Sequence, residues 1–321
     1  MSNIWNRLAR PEFGLADRIS DAMGTLEWRE PGSIADVRNS KELIVACDFA
    51  GAHKAAKFEA FGFLLGAVGG SARWMKERAV VRDRLLPDGR RMAYKALNDK
   101  IRRKALSPFL AASNAFPGNL FIVMIRRNIQ TLFDDPGSRT LFPELIVAEY
   151  GWKRKSFHRL LLIASLGALF VSGLSSPEQD ILWVTDQDEI APNPEKHDVA
   201  GHVFDHCISR YAPANHGMLT FVTTEVKFDN NRVEDLVAVV DLAAGSLVDA
   251  FAEDGLVSSG SIWVPLSSRL SHKARTLLDW FADDSQNLRR FVIVLDHSGR
   301  GIEVHASKPI QSDGRQLFLL R

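Results

Sequence analysis

The run Leu120-Phe121-Ile122-Val123-Met124-Ile125 contains no polar residue. An apolar run this short, with β-branched and aromatic members, reads as a strand buried on both faces, so helices must cover both sides of its sheet. The neighbouring segments fit that demand. Leu43 to Cys47 is a second apolar run, halted by Asp48 and Gly51, and Lys57 to Ala67 is a further strand candidate with Phe58, Phe61 and Phe63. Arg91 to Leu97, after the Pro87-Asp88-Gly89 turn, reads as another strand, as do Ile181 to Val184 and Met218 to Val226. Between them lie helical stretches: one capped by Ser71 and running through Leu85, one over Asn98 to Ala112 kinked or restarted at Pro108, and others over Lys155 to Leu174, His197 to Tyr211 and Val233 to Phe251. A loop holds Asp134-Asp135-Pro136-Gly137. Strands alternating with helices predict an α/β fold, a sheet with helices on both faces.

With 321 residues, 46% hydrophobic and 25% charged, the chain can bury a sizeable core. Residues 1–40 read as a peripheral segment with a helix near Leu15 to Met23, residues 41–254 as the main domain, and residues 255–321 as an appended C-terminal α/β extension. That extension has a helix over Leu270 to Phe281 and strands over Phe291 to Leu295 and Gly301 to His305. Lys and Arg number 40 against 39 Asp and Glu, so attraction to a polyanion has to come from local patches. The only cysteines, Cys47 and Cys207, are too few for a disulfide framework and suit a reducing compartment. Met1 to Gly14 carries no apolar signal core, and Leu160 to Leu174 is short for a bilayer span. The expectation is a cytoplasmic protein without a membrane segment.

Three aspartates stand out. Asp241 sits in Leu236-Val237-Ala238-Val239-Val240-Asp241-Leu242-Ala243-Ala244-Gly245, among apolar neighbours, where an ionised carboxylate needs a partner. A metal ion would serve; an arginine or a helix cap would serve equally. Asp48 and Asp186 each follow an apolar strand, at the carboxyl ends where sites assemble in parallel sheets, although such acids also serve as turn residues. Asp188 lies two residues beyond Asp186 and Glu189 follows it. Clustered carboxylates at strand ends suit Mg2+ or Mn2+, and two such ions can bracket a phosphodiester.

These motifs resemble those of a widespread family of uncharacterised bacterial proteins with a ribonuclease-H-like fold. In that family an early strand ends in an Asp-Glu-Ser-Gly-type motif, a middle strand ends in Asp, and a late helix carries a Leu-Gln-Leu-Ala-Asp-Leu-type motif followed by Ala-Gly. The matching stretches are Asp48-Phe49-Ala50-Gly51, Val184-Thr185-Asp186 and Leu236 to Gly245, over about residues 41–254. The resemblance implies a ribonuclease-H-like mixed sheet, a metal site at Asp48, Asp186, Asp188 and Asp241, and nucleic acid as substrate. Phe49 and Ala50 depart from the family's acid and hydroxyl. Ala93-Tyr94-Lys95 keeps only the lysine of the family's middle Glu/Lys motif, which makes Lys95 a candidate contact for a scissile phosphate.

Other chemistries find less support. His202 and His206 have metal-ligand spacing on a helix, with His197, Asp205 and Cys207 nearby, but lack the Glu of a zinc protease and any CxxC pair. Residues 66–70 lack the ending of a phosphate-binding loop, no Gly-x-Gly-x-x-Gly follows a strand, and no Gly-x-Ser-x-Gly occurs. Basic clusters at Arg102-Arg103-Lys104, Arg126-Arg127 and Lys153-Arg154-Lys155 read as solvated faces or as contacts for a phosphate backbone. Trp152 and Trp183 read as core or interface residues rather than base-stacking platforms. Two functions are therefore carried forward: a metal-dependent nuclease or phosphodiester hydrolase, with catalytic Asp48, Asp186, Asp241 and Lys95, and a decayed module that binds nucleic acid or a protein partner. Self-association stays open.

Overall fold

The computed structural model describes residues 3–8, 14–53, 55–129, 151–212, 216–224, 231–252, 256–258, 261–265, 270–285, 287–298, 301–312 and 316–320. In chain order its elements are α1 (Leu15–Arg29), β1 (Glu42–Ala50), β2 (Phe58–Ala67), α2 (Ala72–Leu85), α3 (Lys100–Ser113), β3 (Gly118–Arg126), α4 (Arg154–Leu174), β4 (Asp180–Thr185), α5 (Pro194–Tyr211), β5 (Leu219–Thr223), α6 (Arg232–Ala252), β6 (Leu256–Ser258), β7 (Ser261–Pro265), α7 (His272–Ala282), β8 (Leu288–Ser298), β9 (Gly301–Ser307), β10 (Pro309–Ser312) and β11 (Gln316–Leu320).

The fold is α/β, built on a seven-stranded mixed sheet in the order β5-β4-β1-β2-β3-β8-β9. Strands β1, β4 and β5 are parallel, as are β3 and β8, while β2 and β9 run the other way. The side-chain period of two splits the core into two layers. Ile44, Ala46, Leu120, Ile122 and Met124 face a layer that includes α6. Leu43, Val45, Phe121 and Val123 face the layer of α1, α4 and α5. The unbroken apolar run of β3 is thus buried on both sides, as its composition requires. Four further strands, β10-β11-β7-β6, form a small antiparallel sheet.

Several local expectations change. Residues 91–97 form no strand; they hold a three-residue 3-10 turn, Tyr94–Ala96. Met92, Tyr94 and Leu97 pack into the core layer of α6, so their near-alternation reflects a packed turn rather than a pleat. The Ser71 hydroxyl donates to the Val68 carbonyl instead of capping α2. Helix α3 runs through Pro108 as one element, started by the Asp99 carboxylate, which accepts from the Ile101 N–H. The Asp134–Gly137 loop and Val226 lie outside the described residues.

Both flanking segments belong to the same core. Trp5 is buried against Phe121 and Phe170, and the Glu27 carboxylate accepts the N–H groups of Ile4 and Trp5. Beyond Gly255, β8 and β9 join the main sheet, β8 pairing along β3, and α7 packs on α6, while β6, β7, β10 and β11 make up the small separate sheet. Helix α4 is long and apolar enough to cross a membrane by length and composition, but 89% of its apolar window is buried in the protein.

Candidate functional site

Strand register brings the first residues together. Cys47 pairs with Thr185 in the parallel β1–β4 ladder, and Thr185 pairs with Thr223 in β4–β5. Asp48, Asp186 and Thr224, one residue further along each strand, therefore stand side by side on adjacent strands, which are spaced about 4.8 Å apart. Alternation along β1 turns Asp48 to the face of Ile44 and Ala46, the layer that holds α6. Helix α6 comes close to the sheet there because Gly62, opposite Asp48 on β2, has no side chain: a Cβ would collide with Val240. Asp241, the next residue on α6, is carried to the strand ends by that approach.

The result is a partly exposed acidic cluster. Burial, then the charges of Asp241 and Asp186, push Asp48 well above the usual carboxylate range, although the Phe49 N–H donates to its Oδ1 at 2.7 Å. Burial also raises Asp241, against the Tyr94 N–H, which donates to its Oδ2 at 2.7 Å. Burial lifts Asp188 to about 6, opposed by the Ile190 N–H bonded to its Oδ1 at 2.9 Å. Asp186 goes the other way. Burial works to raise it too, but Arg91 outweighs that: its Nη1 donates to Oδ1 at 2.6 Å, and the Thr224 hydroxyl adds a second bond at 2.6 Å. Among the described residues, Arg91 is thus in direct contact with one member, Asp186, of a cluster of four acids.

The 94–96 turn is clamped into this cluster. Its seat on α6 is Gly245, where a Cβ would come within 2.5 Å of the Tyr94 ring. The Tyr94 hydroxyl donates to Asp249, about two helical turns beyond Asp241, and Lys273 of α7 donates to the Tyr94 carbonyl at 3.1 Å while lying over its ring. The same turn carries Lys95, exposed, whose charge favours ionised Asp241. Glu234, seven residues before Asp241 on α6, is raised by burial and feels both Arg91 and Asp186.

No protein-family model matches the chain, and no curated protein is found that matches it. What the site can do has to be read from its own residues. Asp48, Asp186, Asp188 and Asp241, singled out in the sequence, influence one another electrostatically and form one neighbourhood. Among the described residues, however, no three His, Cys, Asp or Glu side chains make a ready metal-ligand set. The departure at Phe49 turns out to lie on the opposite face of β1 from Asp48: its ring stacks under the Arg159 guanidinium at 4.6 Å, in the layer of α4. Glu189 also faces that side, paired with Arg159. His202 and His206 are exposed on α5, and Trp183 is core, stacked on Phe204. Trp152 is buried beneath Lys196.

Arg91, Thr224, Tyr94, Glu234 and Lys273 escaped the sequence reading. Thr224 had a usable signal, since it follows β5 as Asp186 follows β4. Arg91 was hidden by its assignment to a strand that does not form.

Proposed function

We propose that this chain is a ribonuclease-H-like, metal-dependent nuclease or phosphodiester hydrolase that acts on nucleic acid with Mg2+ or Mn2+. The observation that carries the proposal is the meeting of Asp48 and Asp241 at the strand ends, each raised by burial and neither bonded to a cationic side chain among the described residues. Burial of two neighbouring carboxylates, with the repulsion that Asp48 feels from Asp241 and Asp186, disfavours their ionised forms unless a cation binds them. The strand order β3-β2-β1-β4-β5, with only β2 reversed, supports the ribonuclease-H-like reading, because it is the arrangement that fold uses.

The donor chemistry fits a hard divalent cation: Asp48, Asp186 and Asp241, with Asp188, offer carboxylate oxygens only. Such an ion, when bound, activates water and neutralises phosphoryl charge. The chain's own residues do the rest. The Tyr94 N–H fixes the Asp241 carboxylate, Thr224 orients Asp186, and Arg91 and Lys95 supply positive charge where a phosphate would lie.

One observation favours the second reading, a decayed module that binds nucleic acid. Arg91 already engages Asp186, and no three ligands stand ready. Incubating labelled single- and double-stranded DNA and RNA with Mn2+, Mg2+ or EDTA separates the two. Cleavage with Mn2+, none with EDTA, and loss of cleavage with retained binding in Asp48→Ala is the expected result. No cleavage by the wild type on any of these substrates, with equal binding by Asp48→Ala, would replace the nuclease with the binding module.

A further inference from the structure

Two basic clusters noted in the sequence remain without a role, and both adjoin the acidic site. Lys100, Arg103 and Lys104 project from the first turns of α3; all are exposed, and no carboxylate pairs with them among the described residues. Their place beside the site follows from a chain of contacts: Arg102 Nε donates to the Arg91 carbonyl at 2.7 Å, and Arg91 in turn grips Asp186. Lys153, Arg154 and Lys155 begin α4, equally exposed and equally without a carboxylate partner among the described residues. They adjoin the site from the other layer. Ser156 reaches Glu189 at 3.4 Å, Arg159 pairs with the same Glu189, and Glu189 follows Asp188 directly.

Neither group of cations helps its own helix. In α3 Lys100 repels Arg103 and Lys104, three and four residues on, and the start of a helix favours anions, yet neither α3 nor α4 has an acid in its first turn. The chain as a whole is almost neutral, so these two surpluses are local features of the site's rim.

We infer that a nucleic-acid backbone crosses the strand-end edge of the sheet, its phosphates held by the α3 cluster on one side of the acidic site and by the α4 cluster on the other. A polyanion answers both surpluses at once and leaves the segment between them over Asp48, Asp186 and Arg91. This path rests on the proposed nucleic-acid substrate but not on cleavage, so binding is measured in EDTA, where failure of the path and failure of the nuclease reading are separate results.

The experiment compares three double variants of the full chain with equal charge change: R103E/K104E on α3, R154E/K155E on α4, and K41E/K76E at the opposite edge, where both lysines are exposed. The probes are fluorescein-labelled 20-nucleotide single- and double-stranded oligonucleotides, titrated across a salt series, with poly-glutamate as the competing polyanion. Both site-edge variants are expected to weaken oligonucleotide binding about tenfold or more and to flatten the slope of log K against log salt by roughly 1.5 to 2, as loss of two phosphate contacts requires. The control is expected to change affinity less than threefold. Equal losses in all three would reduce the effect to net charge and overturn the path. So would normal binding by either site-edge variant, or poly-glutamate binding as tight as the oligonucleotide with the same sensitivity to the variants. Circular dichroism and a melting curve for each variant keep a folding defect from passing as a binding defect.

Discussion

Two aspartates on one helix have opposite surroundings. Asp235, in the first turn of α6, is fully buried and saturated: Arg78 Nη1 donates to it at 2.7 Å, and Arg82 grips both its oxygens. Asp241, six residues on, receives a backbone N–H from Tyr94 and sits beside Asp48 and Asp186; Arg91 and Lys95 favour its charge from nearby, but among the described residues no cationic side chain is bonded to it. The same residue type in the same apolar helix is therefore a finished ion pair in the first turn and an unsettled charge in the middle. A neutralised buried charge belongs to the architecture; one held among like charges stores a demand for an external cation.

The sharpest way to break this contrast is to remove each carboxylate in turn and follow urea denaturation. Asp235→Ala leaves two guanidinium groups buried without their anion and should cost about 3–5 kcal/mol. Asp241→Asn keeps the volume and removes a repelling charge, so without metal its stability should equal or exceed that of the wild type. A comparable loss in both variants would mean that Asp241 is as structural as Asp235, and the distinction would collapse.

Added Mn2+ probes the same difference from the other side. An ion that binds only the folded state stabilises it by about 2.7 kcal/mol at a concentration of 100 times Kd. The wild type should show such a rise in melting temperature, and Asp241→Asn a much smaller one. Equal rises would put the metal elsewhere.

How far this contrast was legible in the sequence differs between its two ends. Asp241 stood out because every neighbour is apolar, and Asp48 and Asp186 because each ends an apolar strand; these signals are local. The partners that decide their roles are not local. Arg78 and Arg82 lie more than 150 residues from Asp235, and Arg91 is 95 residues from Asp186. The central strands and the helices around them were readable from periodicity, whereas the 94–96 turn imitated a strand because its apolar residues happen to alternate. The joining of β8 to β3 depends on long-range pairing that no local pattern encodes.

Acidity should act with opposite signs on different acids of the site. Asp188, raised to about 6, Asp48 and Asp241 all hold protons more tightly in the folded chain than in the unfolded one. Their ionisation therefore opposes folding, and the metal-free protein should gain stability from these groups as pH falls from 7.5 toward 5. For Asp188 alone the effect is on the order of 3 kcal/mol across the whole window from about 6 down to its ordinary value, and the first part of it falls between pH 7.5 and 5. Asp186 is lowered, so its contribution is present above the ordinary carboxylate range and fades only in stronger acid. Comparing wild type with Asp48→Asn isolates the site: the variant should gain less on acidification. Saturating Mn2+ should shrink the wild-type gain, because the ion favours the ionised carboxylates.

The smallest expected effect tests whether Asp241 is positioned by the Tyr94 backbone or merely lies near it. Tyr94→Phe deletes the hydroxyl that donates to Asp249 but keeps the ring against Gly245, the N–H on Asp241 and the carbonyl under Lys273. Asp249 is only partly buried and can rehydrate, so the loss should be about 1 kcal/mol, and the Mn2+-induced rise should stay as in the wild type. Gly245→Ala does the reverse. It removes no polar group, and alanine suits a helix better than glycine, but its methyl would press on the Tyr94 ring and push the turn off α6. If the N–H is what fixes the Asp241 carboxylate, this variant should lose most of the Mn2+ response while remaining folded. A Gly245→Ala protein that responds to Mn2+ like the wild type would show that the turn does not position the site, and that Asp241 depends on α6 alone.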